Sequence, residues 1–108
     1  MKPYTITTLD RRHTGSHHFR YRIGLNVPDT AADWEVKLLL WTNIRNWCDD
    51  TWGHSCEVNI HRYLQFRGHA VNDRWAWLHR TPGMRQTGHN YFFFLTHESD
   101  LTMFELKW

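Results

Sequence analysis

Cys48, His54, Cys56 and His61 fall within one short span of this 108-residue chain, and thiolate sulfur with imidazole nitrogen is the donor set of a structural zinc site. Their spacing, C-x5-H-x-C-x4-H, is none of the regular zinc spacings. Cys48 belongs to an expected helix, and His54 and Cys56 would have to curl back past Gly53 to join it. The reading is therefore buried thiols and surface imidazoles, with no metal or other cofactor expected and these four as the candidate ligands were one bound. His13, His17 and His18 form a second group, expected as solvated loop residues. Neither cysteine has C-x-x-C redox spacing, and the chain carries no Gly-rich phosphate cradle, Walker motif or G-x-S-x-G elbow. Asp49 and Asp50 sit together at a helix end, where the helix dipole disfavours them unless they are paired or solvated.

Binding chemistry is more evident than catalytic chemistry. Arg20 and Arg22 alternate with apolar residues in one segment, and Asn59, His61, Tyr63, Gln65 and Arg67 do so in another. Read as strands, both segments turn these polar groups to one side of a sheet. Arginine interleaved with an aromatic suits phosphate contacts with base stacking, and equally a protein interface. Trp52, at the end of an over-wide apolar helix stripe, and Trp47, which extends that stripe sideways, form a candidate apolar patch. The contact residues expected from sequence are thus Arg20, Arg22, His61, Tyr63, Arg67, Trp47 and Trp52.

Composition bounds the rest. Formal charge is only +2, far from the excess of a dedicated nucleic-acid binder, although ten of the thirteen cations are Arg. With 41% hydrophobic and 16% aromatic residues the chain supplies one core, so residues 1–108 read as a single domain. No apolar run approaches bilayer length and no signal-peptide core follows Met1, which gives the expectation of a cytoplasmic protein with reduced cysteines and no membrane partner.

The elements that must position these groups follow from periodicity. Residues 3–9 suit an edge strand and residues 10–16 (DRRHTGS) a polar turn. Residues 18–27 alternate strictly, with Phe19, Tyr21, Ile23, Leu25 and Val27 on one face. A helix is predicted from about residue 30 to about residue 50, with Trp34, Leu38, Trp41, Ile44, Cys48 and Trp52 as its stripe and Gly53 as its stop. Residues 56–67 alternate again, with Cys56, Val58, Ile60, Leu64 and Phe66 inward and a bend at Arg62, and are read as a strand. Residues 75–80 and 91–96 are strands around a Gly/Pro loop. Residues 100–108 fit a short helix behind a Ser99/Asp100 cap, or a strand, and the cap favours the helix. The predicted fold is α+β: a two-layer sandwich of a mostly antiparallel sheet of four to five strands with one long and one short helix, ferredoxin-like in kind.

Two resemblances extend this reading. His79-Arg80-Thr81 and His97-Glu98-Ser99 are similar to the paired H-x-T/S motifs of 2H phosphoesterases, whose histidines act as general acid and base. Here the interval is much shorter, and Arg80 and Glu98 replace an apolar residue. The C-terminal segment YFFFLTHESDLTMFELKW resembles the closing strand and helix of small uncharacterised proteins of tailed bacteriophages, in which an aromatic strand leads to acidic residues and an F-x-L-K/R-W ending. That resemblance implies a viral accessory or virion-associated protein acting by contact with a host or viral protein, in the host cytoplasm. The expected function is non-enzymatic protein binding, with homo-oligomerisation through leftover aromatic surface. The alternatives are a nucleic-acid-binding module using the Arg/His/Tyr face and a small oligomeric hydrolase or lyase with His/Glu or metal chemistry.

Overall fold

The computed structural model describes residues 4–13, 15–25, 34–80 and 90–108. Seven elements follow in order: β1 (Tyr4–Thr8), β2 (Tyr21–Leu25), α1 (Trp34–Trp52), α2 (Val58–Phe66), β3 (Trp75–Arg80), β4 (Asn90–Leu95) and α3 (Glu98–Lys107). The strands form one antiparallel sheet of order β1-β2-β4-β3. The α+β architecture is as read from sequence. Its element order, ββααββα, differs from the βαββαβ of a ferredoxin-like chain. The predicted loop at 81–89, and the start of the predicted helix together with the end of the second strand at 26–33, lie outside the described residues.

Strand alternation sorts the sheet into two apolar faces. Ile23, Leu25, Trp75, Tyr91, Phe93 and Leu95 are buried on the first face, against Trp41, Ile44, Cys48 and Trp52 of α1 and Leu101 and Phe104 of α3. The spacing of the α1 residues puts them on one stripe of a 3.6-residue helix, as the sequence predicts. Burying each large side chain is worth about 1.5–3 kcal/mol, so this aromatic layer dominates the stability of the fold. Gly53, at φ +91, ends α1, and its N–H donates to the Asp49 carbonyl at 3.0 Å. Asp49 is paired with His54 at 2.9 Å and Asp50 is exposed, which answers the dipole conflict at this end.

On the second face lie Phe92, Phe94, Ala76 and Leu78, covered by Phe19, Leu9 and Val58. Here the structure corrects three expectations. Residues 58–66 are a helix, not a strand, so α2 adds a third layer to the expected two. Phe19 precedes β2 in an irregular segment and turns to the face opposite Ile23, because its N–H and that of His18 fold back onto the Gly15 carbonyl. The short helix α3 forms, but its N-cap is His97 with no side-chain cap bond. The Asp100 carboxylate, expected as a cap group, is buried and takes a two-pronged ion pair from Arg74, at 2.7 and 3.2 Å.

No helix among the described residues is long and apolar enough to cross a membrane.

Candidate functional site

Several features able to recognise another molecule gather around α2, while Leu39 of α1 and Leu106 of α3 are exposed elsewhere. Glu57 opens the helix: its backbone is extended and its carboxylate accepts from the Asn59 N–H at 3.3 Å, taking up a donor the first turn leaves unpaired. Val58 and His61 then face inward and are fully buried, while Leu64 is half-buried. That i, i+3, i+6 stripe docks the helix on Phe19, Ala76 and Phe94. A parallel bridge between Glu57 and Trp77 fixes where the helix begins against the outer edge of β3. The alternation at 56–67 was compatible with a strand because Val58, Ile60, Leu64 and Phe66 also fall two or four apart. The second inward residue of the helix is a histidine, which a hydrophobic count does not score.

His61 is held by chemistry as well as packing. Its Nε2–H donates to the Asn72 carbonyl at 3.1 Å, which leaves Nδ1 as a buried acceptor without a partner. The ring lies 4.8 Å from that of Phe19 and 5.3 and 5.7 Å from those of His18 and His17, centroid to centroid. Burial pushes the His61 imidazole below its ordinary value, aided by the His18 charge and opposed by the Asn72 carbonyl and Asp73. His17 is lowered as well, first by burial and then by the positive neighbours His61, Arg62 and His18. Asn72 ties this region to the end of α1: its side-chain amide donates to the carbonyls of Trp52 and His54 at 3.0 and 3.1 Å.

Outward, α2 presents Ile60, Tyr63 and Phe66, which are 51%, 57% and 88% exposed. At about 100° per residue these three fall on the side away from His61. The Arg67 guanidinium lies over the Tyr63 ring at 5.2 Å.

On one flank of the helix is a cavity of about 290 Å³ lined by Arg11, His13, Ser16 and His17 of the β1–β2 connection and by Asn59 and Arg62 of α2, with Gly15 and Val58 at its back. The connection is braced by Asp10, which accepts from the Arg12 backbone and guanidinium at 2.9 Å each, and by Gly15. Gly15 has φ +93, and a β-carbon there would stand 2.9 Å from the Phe94 ring, so only glycine lets the loop lie this close to the sheet. Arg11 and Arg62 meet no carboxylate among the described residues, in contrast to Arg12 and Arg74.

No family model, curated protein or solved structure matches the chain. What the site can do follows from its geometry.

The structure separates the residues that the sequence grouped. Tyr63 and Arg67 are exposed on α2, but His61 is buried beneath them, so the expected shared sheet surface does not exist. Arg20 is exposed beside the Tyr21 ring. Arg22 packs over Phe92 at 5.0 Å, on the sheet face that α2 partly covers. Trp47 and Trp52 make no surface patch: their rings meet at 5.1 Å, and Phe104 and Trp108 of the C-terminal segment close over Trp47. Of the four candidate metal ligands, Cys48 is in the first-face core and His61 under α2 on the second. Burial pushes the Cys48 thiol far above its ordinary value, and Cys56 is raised by burial and then Glu57. Among the described residues no group of three or more His, Cys, Asp or Glu is arranged to hold a metal ion.

His79 stacks on Tyr91 at 4.5 Å, whereas His97 lies beyond the other end of the same strand pair, where Trp75 faces Leu95. The four strand steps from Tyr91 to Leu95 alone span roughly 13 Å, too far for the two to act on one phosphodiester. The cavity was missed because residues 10–16 and His17/His18 read as a solvated turn. The cationic run Arg11-Arg12-His13 was its one sequence signal.

Proposed function

We propose that this protein is a non-enzymatic interaction module that binds a host or viral protein through the outer face of α2. The observation that carries the reading is the exposure of Ile60, Tyr63 and Phe66, on a helix whose opposite side is fixed by Val58 and His61. Large side chains presented by a pre-set helix lose little conformational entropy on binding, and aromatic anchors of this kind supply most of the energy at an interface. Arg62 and Arg67 border the patch and Glu57 is engaged in the cap, so the complementary surface is an apolar groove rimmed by carboxylates. The phage-like C-terminal pattern supports a host or phage protein as the partner.

The test is capture from host lysate with and without nuclease, comparing the intact protein with its Ile60→Ser/Tyr63→Ser/Phe66→Ser variant. A discrete protein retained after nuclease by the parent, and at least tenfold less by the variant, is expected. Equal retention by both overturns the reading. Material lost on nuclease treatment replaces it with nucleic-acid binding. A shift in sedimentation of the pure parent, absent in the variant, identifies the partner as a second copy.

A further inference from the structure

We infer that the cavity between the β1–β2 connection and α2 binds the terminal phosphate of a small, polar, soluble ligand, a site distinct from the apolar face of the same helix. Arg11 and Arg62 reach the cavity from its two walls, one from the loop and one from the helix, and neither guanidinium is engaged by a carboxylate among the described residues. Guanidinium forks arriving from separate elements, together with the Ser16 hydroxyl and the Asn59 amide of the same lining, can surround a tetrahedral anion whose oxygens point in several directions.

The nearby acidic groups do not compete for the cavity. Asp10 is held by Arg12 at 2.9 Å, and Glu57 by the Asn59 N–H. His13 adds a donor in either protonation state. When neutral, its Nδ1 accepts from the Asp10 N–H at 3.0 Å, so the hydrogen sits on Nε2; when charged, both nitrogens carry one.

Shape sets the ligand class. At about 290 Å³ the cavity is at the small end of ligand sites, which run to about 1,000 Å³. A volume this small suits a chain-terminal phosphomonoester, whereas a phosphodiester backbone needs a continuous basic groove. Val58 is the one aliphatic side chain in the lining among the described residues, so the remainder of the ligand is polar and small, as in a sugar phosphate. The wall is also seated on the core before any ligand arrives, because Gly15 lies close against the Phe94 ring.

Isothermal titration of the intact protein tests this with inorganic phosphate, ribose 5-phosphate, ribose and an oligonucleotide lacking terminal phosphates, all at constant chloride ionic strength. Saturable one-site binding of phosphate and ribose 5-phosphate is expected, with none for ribose. Arg11→Gln and Arg62→Gln should each weaken it at least tenfold, and Lys107→Gln, on α3 against the opposite face of the sheet, should leave it unchanged. Both arginines are exposed, so circular dichroism of the two variants should match the parent. Absence of saturable binding, or equal affinity in both arginine variants, overturns the site. An oligonucleotide that binds as tightly as ribose 5-phosphate overturns the terminal-phosphate assignment.

Discussion

Replacing Phe66 with Ser separates the two ways in which residues 57–67 can fold. In the helix, Phe66 is 88% exposed, so about an eighth of its surface is available to lose. Burial of a whole Phe is worth about 1.5–3 kcal/mol, which puts the cost at roughly 0.2–0.4 kcal/mol. Val58 is fully buried on the same helix, and Val58→Ala removes two methyl equivalents at about 0.8 kcal/mol each plus a cavity term, about 2–3 kcal/mol in all. Were the segment an alternating strand, Phe66 and Val58 would point to the same core, and the Phe66 change would cost about 3–5 kcal/mol. Urea unfolding followed by tryptophan fluorescence reads both variants against the parent, the chain having seven indoles to report. A Phe66→Ser loss of 2 kcal/mol or more, or a Val58→Ala loss below about 0.5 kcal/mol, refutes the helical placement and the docking face with it.

Two further outcomes follow from the same region. Gly15→Ala should cost about 2 kcal/mol or more, from the positive φ and the 2.9 Å approach to Phe94, and a thermal midpoint equal to the parent's would contradict it. Acidification below about pH 6.5 should destabilise the protein. Burial holds His17 and His61 below that ordinary value, so the unfolded chain takes up protons that the native state resists. The penalty is absent above pH 6.5 and grows until the native groups protonate; His61→Phe should flatten the slope, as read in urea midpoints across pH 5–8.

Legibility in the sequence tracked how unambiguous each periodicity was. The stripe Trp41, Ile44, Cys48 and Trp52 and the pairing residues Tyr91, Phe93 and Leu95 announced themselves because every inward position is apolar. Residues 57–67 misled for the opposite reason: His61 occupies a core position, while Ile60 and Phe66 sit outside, so the apolar pattern described the surface of the helix instead of its seam. The Trp47/Trp52 patch failed on a tertiary fact, the return of Trp108 and Phe104 across α1, to which no local spacing refers. The basic cavity needed a similar fact. Arg11 and Arg62 are fifty-one positions apart in the sequence and meet only because Gly15 lets the loop lie against the sheet beside α2.

The strand order β1-β2-β4-β3 also bears on how the molecule is made. Its outer pairings join strands that are neighbours in sequence, but the central seam sets Tyr21 opposite Leu95 and Ile23 opposite Phe93, across most of the chain. Such a closure is entropically expensive and comes late. During synthesis β2 and α1 therefore leave the ribosome well before the strand that completes their core, with Ile23, Trp41 and Ile44 unable to reach Phe93. A two-stranded ribbon is marginal on its own in water. The nascent chain thus carries an unfinished aromatic layer through most of its translation, and its yield in a cell depends on how well that layer is shielded until β4 arrives.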